Sequence, residues 1–419
     1  GDKEKLGLGD KEIVWRHATT LPGMAKSRLF DGVEVSDILQ GALGDCWLLS
    51  ATAAVAEFPN FFKSLFLTRA ISSEGRYELR LYDAAQKTWE TVAIDDRIPC
   101  VDLGDNVLRP AFARPNGAEL YVLLVEKCFA KFAGGYSSLA GGSPARAWLA
   151  MTGCEQLEAW QKQEDGEWKR GEVSTDPEKV SRNHWSVSIV TRESSACCDA
   201  TTFFGHVRAC DHANFLMAAS ISGAEVKRDD GLVSGHAYTL IAAAQVQLAD
   251  GRTIRLVQAR NPWGNEHEWK GSWCDGSQQW EMHPEIAKAL RYEACSDGSF
   301  WMGWDDFVGL FDSVTICKHS MPVGKWKDDP PPATLPKIGD SPAKRRGPTS
   351  TERTRREMEA AKLRAAYGSY APPVQAELGT RSRMRSPNGS STKSTKLPPI
   401  ETTPTKSSGP FDWEGEMVA

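Results

Sequence analysis

Cys46 stands where a glycine-bearing approach, QGALGD, gives way to the apolar run CWLLSATAAVAEF, residues 46–58. That run has good helix formers and no proline, so it reads as a buried helix entered at about Cys46. A thiol in a first helical turn lies beside unpaired N–H groups and the positive end of the helix dipole. Both favour the nucleophilic thiolate. A free cysteine in an apolar run is otherwise a small core residue, so the chemistry depends on partners elsewhere. A thiol nucleophile needs a base and a group that orients the base. His236 opens the apolar run HAYTLIAA just after Gly235, and Asn261 ends RLVQAR just before Pro262. An Asn amide oxygen accepting from the His Nδ1–H would fix the tautomer and leave Nε2 to face the thiol. Taken singly, such a His is a structural residue and Asn-Pro a turn starter. Gln40, six residues before Cys46, can donate its amide to a developing oxyanion beside the Cys46 N–H.

The elements that must position these groups differ along the chain. GRYELRLYD and TWETVAIDDRIP alternate like paired strands around AAQK, and NGAELYVLLVEKCFAKFAGG (116–135) reads as a second apolar helix ending at Gly134–Gly135. The Gly- and Pro-bearing LAGGSPARAW marks a hinge or boundary. Beyond about 154 the texture is β-rich: HWSVSIV, FLMAASIS, HAYTLIAAAQVQL, TIRLVQAR and SVTIC are strand-like. From 322 the chain is dominated by Pro, Ser, Thr and basic residues, a composition with too little to bury and expected to be disordered. Within it, STERTRREMEAAKLRAAYG has the make-up of a short basic helix. The expected class is therefore α+β, with units at 1–153 and 154–321 and a tail at 322–419.

A chain of 419 residues with a formal net charge of −5 carries no overall pull toward nucleic acid or an anionic membrane. No apolar run approaches a membrane span, and the charged start GDKEKLGLGD is unlike a signal peptide. Ten cysteines without regular spacing suit a reducing cytosol rather than a disulfide framework, so the expected location is cytoplasmic. Fifteen tryptophans, several in loop-like contexts, suggest aromatic binding surfaces.

Cys, then His, then Asn is the chain order of papain-like peptidases. QGALGDCWLLSA, GHAYTL and RNPWG…EWKGSW closely resemble the three signature segments of the calpain family of cysteine peptidases. DDRIP, LLVEKCFAKFAGGYSSLAGG and DGSFWMGWDDF resemble further family segments in the same order, over about residues 13–318. The resemblance implies a two-lobed protease core with a helix-rich first lobe, an antiparallel β-rich second lobe and the active site between them. Cys46 and Gln40 would belong to the first lobe, His236 and Asn261 to the second. It implies a thiolate-based endopeptidase that makes limited cuts in flexible segments of protein substrates. Trp263 would be the bulky ring between the lobes, and Gly142 and Gly235 backbone positions that grip an extended substrate. The intact set of Cys46, His236, Asn261 and Gln40 argues against a catalytically silent scaffold, and Asn rather than Asp argues against transglutamination.

The resemblance also implies one Ca²⁺ per lobe, held by hard oxygen ligands. Asp37, Glu119 and the carbonyls of Phe30 and Gly32 correspond to the first site. Glu268, Asp275, Asp297 and the Cys295 carbonyl correspond to the second. There Ser299 replaces an acidic residue and NPWGNEHEW is one residue longer than usual, so the second site is expected to be the weaker. PARAWLA replaces a typically acidic segment, and RESSACCDATTFFGHVRACDH (192–212) is an unfamiliar insertion, read as a surface loop. Its Cys197, Cys198, Cys210, His206 and His212 are metal-ligand types, but adjacent cysteines are a poor zinc pair.

Overall fold

The computed structural model describes residues 6–322 apart from 10, 25, 103–107, 176–188, 191–194, 249 and 265–266. The alanine-rich run becomes α1 (Cys46–Ala56), buried at every position. Pro59 then opens α2 (Pro59–Ser64), proline being tolerated where no helical N–H partner is needed. Around α1 lie β1 (Val14–His17), β2 (Arg76–Asp83), β3 (Thr88–Asp95), β4 (Arg97–Asp102) and β5 (Leu108–Pro110). β2 and β3 form an antiparallel hairpin, while β1, β4 and β5 make a separate three-stranded sheet. TWETVAIDDRIP, read as one strand, is thus divided at Asp96 between two sheets. Asp96 accounts for the break: its carboxylate takes His17 Nδ1 at 2.8 Å, and its carbonyl takes the Ala18 N–H.

The second helix, α3 (Tyr121–Ala133), stops at Gly134 in the left-handed region (φ 94°), where glycine bears no Cβ penalty. It begins later than the apolar pattern implies, because Arg28 pairs with Glu119 in a β-bridge. α4 (Pro144–Thr152) follows, capped by Ser143, whose side chain accepts from the Ala145 N–H.

The later part is built on one antiparallel sheet. Its strands are β6 (Leu157–Lys162), β7 (Trp168–Val173), β8 (Ile189–Val190), β9 (Cys197–Cys198), β10 (Leu216–Lys227), β11 (Val233–Gln247), β12 (Thr253–Arg260), β13 (Ser299–Gly303) and β14 (Ser313–Cys317). The order is β13-β12-β11-β10-β14-β6-β7-β8, with β9 also on β7. Of HWSVSIV only Ile189 and Val190 lie among the described residues, as β8. The short helices α6 (Gln278–Met282) and α7 (Pro284–Leu290) have too few periodic positions to stand out in the sequence. α8 (Trp304–Leu310) follows β13 directly.

The 192–212 insertion is not a surface loop. Residues 200–212 form α5 (Ala200–His212), whose Phe203, Phe204, Val207 and Cys210 enter the core. That spacing places them on one helical face, and Asp199 caps the start by accepting from the Thr202 N–H at 2.7 Å.

One core gathers Leu48, Val55, Phe62, Tyr121, Phe129 and Trp148, and also takes in Leu216 and Cys317 from the large sheet. A second packs Trp160, Trp168, Phe203, Tyr238, Phe300 and Phe307 on the sheet. A third joins Trp273, Trp280, Ile286 and Trp301. The loop tryptophans Trp269, Trp273 and Trp280 are therefore core residues rather than binding surface. No described helix is long and apolar enough to cross a membrane. The expectations for the tail, its short basic helix included, lie outside the described residues from 323 onward.

Candidate active site

Cys46 is the first residue of α1, and the N–H groups of Leu48 and Leu49 both turn back to the Asp45 carbonyl. The helix packs against β11, where Thr239 Oγ1 donates to the Ser50 carbonyl at 2.9 Å. That contact lays the Cys46 thiol against the backbone N–H of Ala237, the residue after His236. β11 and β12 are neighbours, with Thr239 opposite Arg260, so His236 and Asn261 meet at adjacent strand ends. Asn261 Oδ1 lies 2.8 Å from His236 Nε2. The Asn261 amide is itself fixed: Nδ2 donates to the His267 carbonyl at 2.9 Å, and Oδ1 also accepts from the Trp263 N–H at 3.0 Å.

The ring is therefore turned the other way from the sequence-based expectation. Asn261 engages Nε2 rather than Nδ1, and Nδ1 is the buried nitrogen without a hydrogen-bond partner. The cause is strand pairing: β12 brings Asn261 to the Nε2 side of the ring. Glu225 Oε1 is 3.7 Å from Nδ1. It reaches there through the irregularity between Ile221 and Val226, where β10 slips out of register with β11. Nothing in the sequence pattern around Glu225 marks this approach.

The thiolate expectation also needs correction for this state. Burial is the largest influence on Cys46 and pushes its thiol up, with the negative charges of Glu225 and Asp45 adding to it. The N–H groups of Ala237 and Trp47 oppose this but do not prevail. Burial lowers His236 to about 4, against the stabilising bond to Asn261. Burial thus favours the neutral form of both groups, and no hydrogen bond joins them among the described residues. The N–H groups of Ala237 and Trp47 and the bond to Asn261 offset that desolvation only in part.

Trp263 is buried with its ring centroid 4.9 Å from that of His236, and Lys227 Nζ lies 5.5 Å from the Trp263 centroid. Gln40 is buried; its Nε2 donates to the Leu43 carbonyl at 2.8 Å, and its backbone N–H donates to Pro262 at 2.9 Å. Gly142 is buried beside Gly141, whose N–H donates to the Gly44 carbonyl at 2.8 Å. Gly235 has φ +62°, and a Cβ there would lie 2.6 Å from both Glu225 N and the Gly223 carbonyl. Gly235→Ala is expected to cost about 1–2 kcal/mol from the left-handed backbone alone, and more from the clash. Melting curves would register the loss, and an unchanged midpoint would contradict this geometry.

The first set of calcium-type ligands is buried. Asp37 Oδ2 accepts from the Tyr121 hydroxyl at 2.6 Å and from the Glu34 N–H at 2.8 Å. Asp37 and Glu119 both raise the Tyr121 hydroxyl, after burial, which places the two carboxylates around it. The Phe30 ring packs on Phe66 and Tyr121, and Gly32 turns the chain at φ 126°. In the second set, Glu268 is pushed up to about 7 by burial and then by the charges of Asp275 and Asp297. Glu268 Oε1 accepts from the Gly298 N–H, Asp275 Oδ2 from the Cys295 N–H, and Asp297 Oδ1 from the Ser299 N–H. The Cys295 carbonyl accepts from the Asp297 N–H at 2.9 Å. Both sets are hard oxygen donors, the chemistry that suits Ca²⁺. They have not closed on a point: among the described residues no three His, Cys, Asp or Glu side chains form a metal-holding cluster. This includes the insertion, where His206 Nε2 instead lies 3.1 Å from Glu158 and 3.6 Å from Cys210 Sγ.

Arg260 is buried between the two sets. Its Nη2 donates to the Ile38 carbonyl at 2.8 Å and its Nε to the Asp297 carbonyl at 3.0 Å. The sequence reading passed over it, although an Arg at the inner end of a core strand is a signal, since such a charge is seldom buried unpaired.

At the start of α1, the carboxyls of Asp45 and Glu126 face each other, both buried. Glu126 Oε1 accepts from the Ala113 N–H at 2.7 Å. Burial raises Asp45 to about 7, and burial with the Asp45 charge raises Glu126 well above its ordinary value. The folded chain thus keeps protons that the unfolded chain releases above about pH 4. Their contribution to stability is present at low pH and falls as the pH rises toward and past about 7. Thermal melts from about pH 5 to 8 should show that decline, and Glu126→Gln should flatten it. An equal slope in both proteins would exclude the shared proton.

Comparison with known proteins agrees with this geometry. The family model described as "Calpain family cysteine protease" matches residues 3–318. A calpain of Schistosoma mansoni is 35% identical over 317 residues, covering 73% of this chain and 36% of that protein. The calpain-type cysteine protease ADL1 of Oryza sativa subsp. japonica is 33% identical, over 71% of this chain and 12% of its own length. Human calpain-9 is 31% identical, over 69% of this chain and 37% of its own. The chain thus spans well under half the length of these relatives. With that match running across both the Cys46 helix and the His236–Asn261 strands, the chain belongs to the calpain family of cysteine proteases.

Proposed function

We propose that this chain is a cysteine endopeptidase in which Cys46 is the nucleophile, His236 the acid–base and Asn261 the residue that orients it. The observation that carries this reading is the 2.8 Å contact of Asn261 Oδ1 with His236 Nε2, which leaves Nδ1 unengaged. In the competent state Nδ1 takes the proton from Cys46, and Sγ attacks the peptide carbonyl. The oxyanion is met by the Cys46 N–H and by the second N–H of the Gln40 amide. Imidazolium Nδ1–H then protonates the leaving amine, and the same nitrogen activates the water that resolves the thioester. Throughout, Asn261 accepts from Nε2–H and holds the ring in one tautomer. Trp263 keeps bulk water off one edge of that pair. Gly142 and Gly235 let an extended substrate backbone approach closely.

The units 1–153 and 154–321 act as the two lobes of this enzyme, which works on flexible segments of cytoplasmic proteins. Ca²⁺ would be held by Asp37, Glu119 and the Phe30 and Gly32 carbonyls, and by Glu268, Asp275, Asp297 and the Cys295 carbonyl. When bound it would supply positive charge to those carboxylates. Labelling with an irreversible peptidyl epoxide, read by intact mass with and without Ca²⁺, tests the reading. One adduct on Cys46 that needs Ca²⁺ is expected. The neutral, unjoined thiol and imidazole favour one other reading, a silent scaffold. No adduct under any Ca²⁺ concentration would select it.

A further inference from the structure

A second thiol–imidazole cluster lies where α4 ends against β14. Thr152 closes the helix, and Gly153 at φ +67° turns the chain back so that Cys154 comes over the strand. Thr152 Oγ1 accepts from the Cys154 N–H at 3.1 Å and lies 3.9 Å from Cys317 Sγ. Cys317 is opposite Leu157 in the β14–β6 pair, and Lys318 N–H donates to the Gln156 carbonyl at 2.9 Å. The same carbonyl is 3.8 Å from Cys154 Sγ. His319 packs its ring against Phe61 with centroids 5.9 Å apart. The Cys154 sulfur thereby faces both the Cys317 thiol and the His319 imidazole.

The two sulfurs are unlike. Cys317 is fully buried and pushed up by burial and by its neighbour, whereas Cys154 is half-buried and reachable. Donation from Cys317, then from His319, brings Cys154 down to about 5 against the cost of burial. Cys46, Cys100, Cys128 and Cys197 are all pushed the other way. An accessible thiolate beside a protonated thiol is the arrangement that oxidises first and is then resolved.

We propose that Cys154 and Cys317 form a redox-modification site, in which a hydroperoxide oxidises Cys154 and Cys317 closes the disulfide. The Cys154 thiolate attacks the outer peroxide oxygen. The S–O bond forms, the O–O bond breaks, and the departing alkoxide or hydroxide takes a proton from water. Sulfur is oxidised by two electrons to the sulfenic acid, and the peroxide is reduced. The Cys317 sulfur then attacks Cys154, and its proton passes to the departing sulfenic oxygen. The S–S bond forms, and the sulfenic oxygen leaves as water. The product ties the end of α4 to a central strand of the large sheet, and a dithiol reverses it.

The full chain carrying Cys46→Ser, so that the active-site thiol neither cleaves nor oxidises, is treated with hydrogen peroxide and mapped unreduced. A Cys154–Cys317 linked peptide that dithiothreitol removes is expected as the main product. At pH 6, iodoacetamide should modify Cys154 at least about tenfold faster than the more exposed Cys197, because only the thiolate reacts. Cys317→Ser should leave a sulfenic acid on Cys154 that dimedone traps. Absence of the linked peptide, or alkylation of Cys154 no faster than of Cys197, overturns the proposal. Both readouts use the parent thiols, so they decide it even if Cys317→Ser does not fold.

Discussion

Cys46→Ala should reduce peptide hydrolysis by roughly 10⁴-fold or more, because the nucleophile leaves and no neighbouring group replaces it. The fold should persist. The sulfur is one small group at the edge of a helix buried on every side, so the melting midpoint should move only a few degrees. His236→Ala should be almost as damaging, since thiol and imidazole act as one unit and their losses do not add. Asn261→Ala should cost less, about 10²-fold, because it orients the base without exchanging a proton with substrate. Its deletion also releases the Trp263 N–H and the His267 carbonyl, so part of the loss should appear as a lower melting midpoint. Kinetics on an unstructured protein substrate at saturating Ca²⁺ would separate these cases. Wild-type turnover by Cys46→Ala would remove the assignment of all three residues.

The groups of the candidate site were legible because each lies at a boundary that composition marks. Cys46 follows a run of glycines, His236 follows Gly235, and Asn261 precedes Pro262. Which imidazole nitrogen meets which partner was not legible, since that depends on how β12 approaches β11. The closeness of Glu225 was hidden for a related reason: register slips are made by pairing, and the pattern of a single strand does not carry them. The same limit explains α5. Phe203, Phe204 and Val207 have helical spacing, but the polar, cysteine-bearing residues around them read as a surface loop. For the tryptophans, loop-like neighbours say little about burial. Trp269 is held because its Nε1 reaches the Ser272 carbonyl at 2.9 Å, a contact that exists only once the loop has closed.

If the proposed carboxylates hold Ca²⁺, Arg260 gives them a route to the candidate site. Arg260 joins the Asp37 segment to the Asp297 segment through the Ile38 and Asp297 carbonyls. Arg260 therefore ties both segments to the strand that precedes Asn261.

Removing a first-set carboxylate should accordingly raise the Ca²⁺ needed for half-maximal activity by about tenfold or more, since affinity follows ligand charge and number. Glu119→Gln removes one charge at nearly unchanged size; Asp37 accepts from Tyr121 and Glu34, so loss of its carboxylate would also disturb local folding. In the second set Ser299 stands where the family resemblance leads one to expect a further acid beside Glu268, Asp275 and Asp297. Ser299 stands opposite Arg260 in the β12–β13 pair, and Arg260 Nη1 is buried without a hydrogen-bond partner. A carboxylate introduced by Ser299→Glu is therefore next to Glu268, Asp275 and Asp297 on one side and an unsatisfied guanidinium nitrogen on the other. Without Ca²⁺ it should pair with Arg260 and be tolerated; with Ca²⁺ it adds an anionic ligand. Calorimetry should find one stronger and one weaker or absent site in the parent protein, and two comparable sites in Ser299→Glu. Full activity of the parent protein in chelator, with no heat of Ca²⁺ binding, would break the link between these carboxylates and the active site.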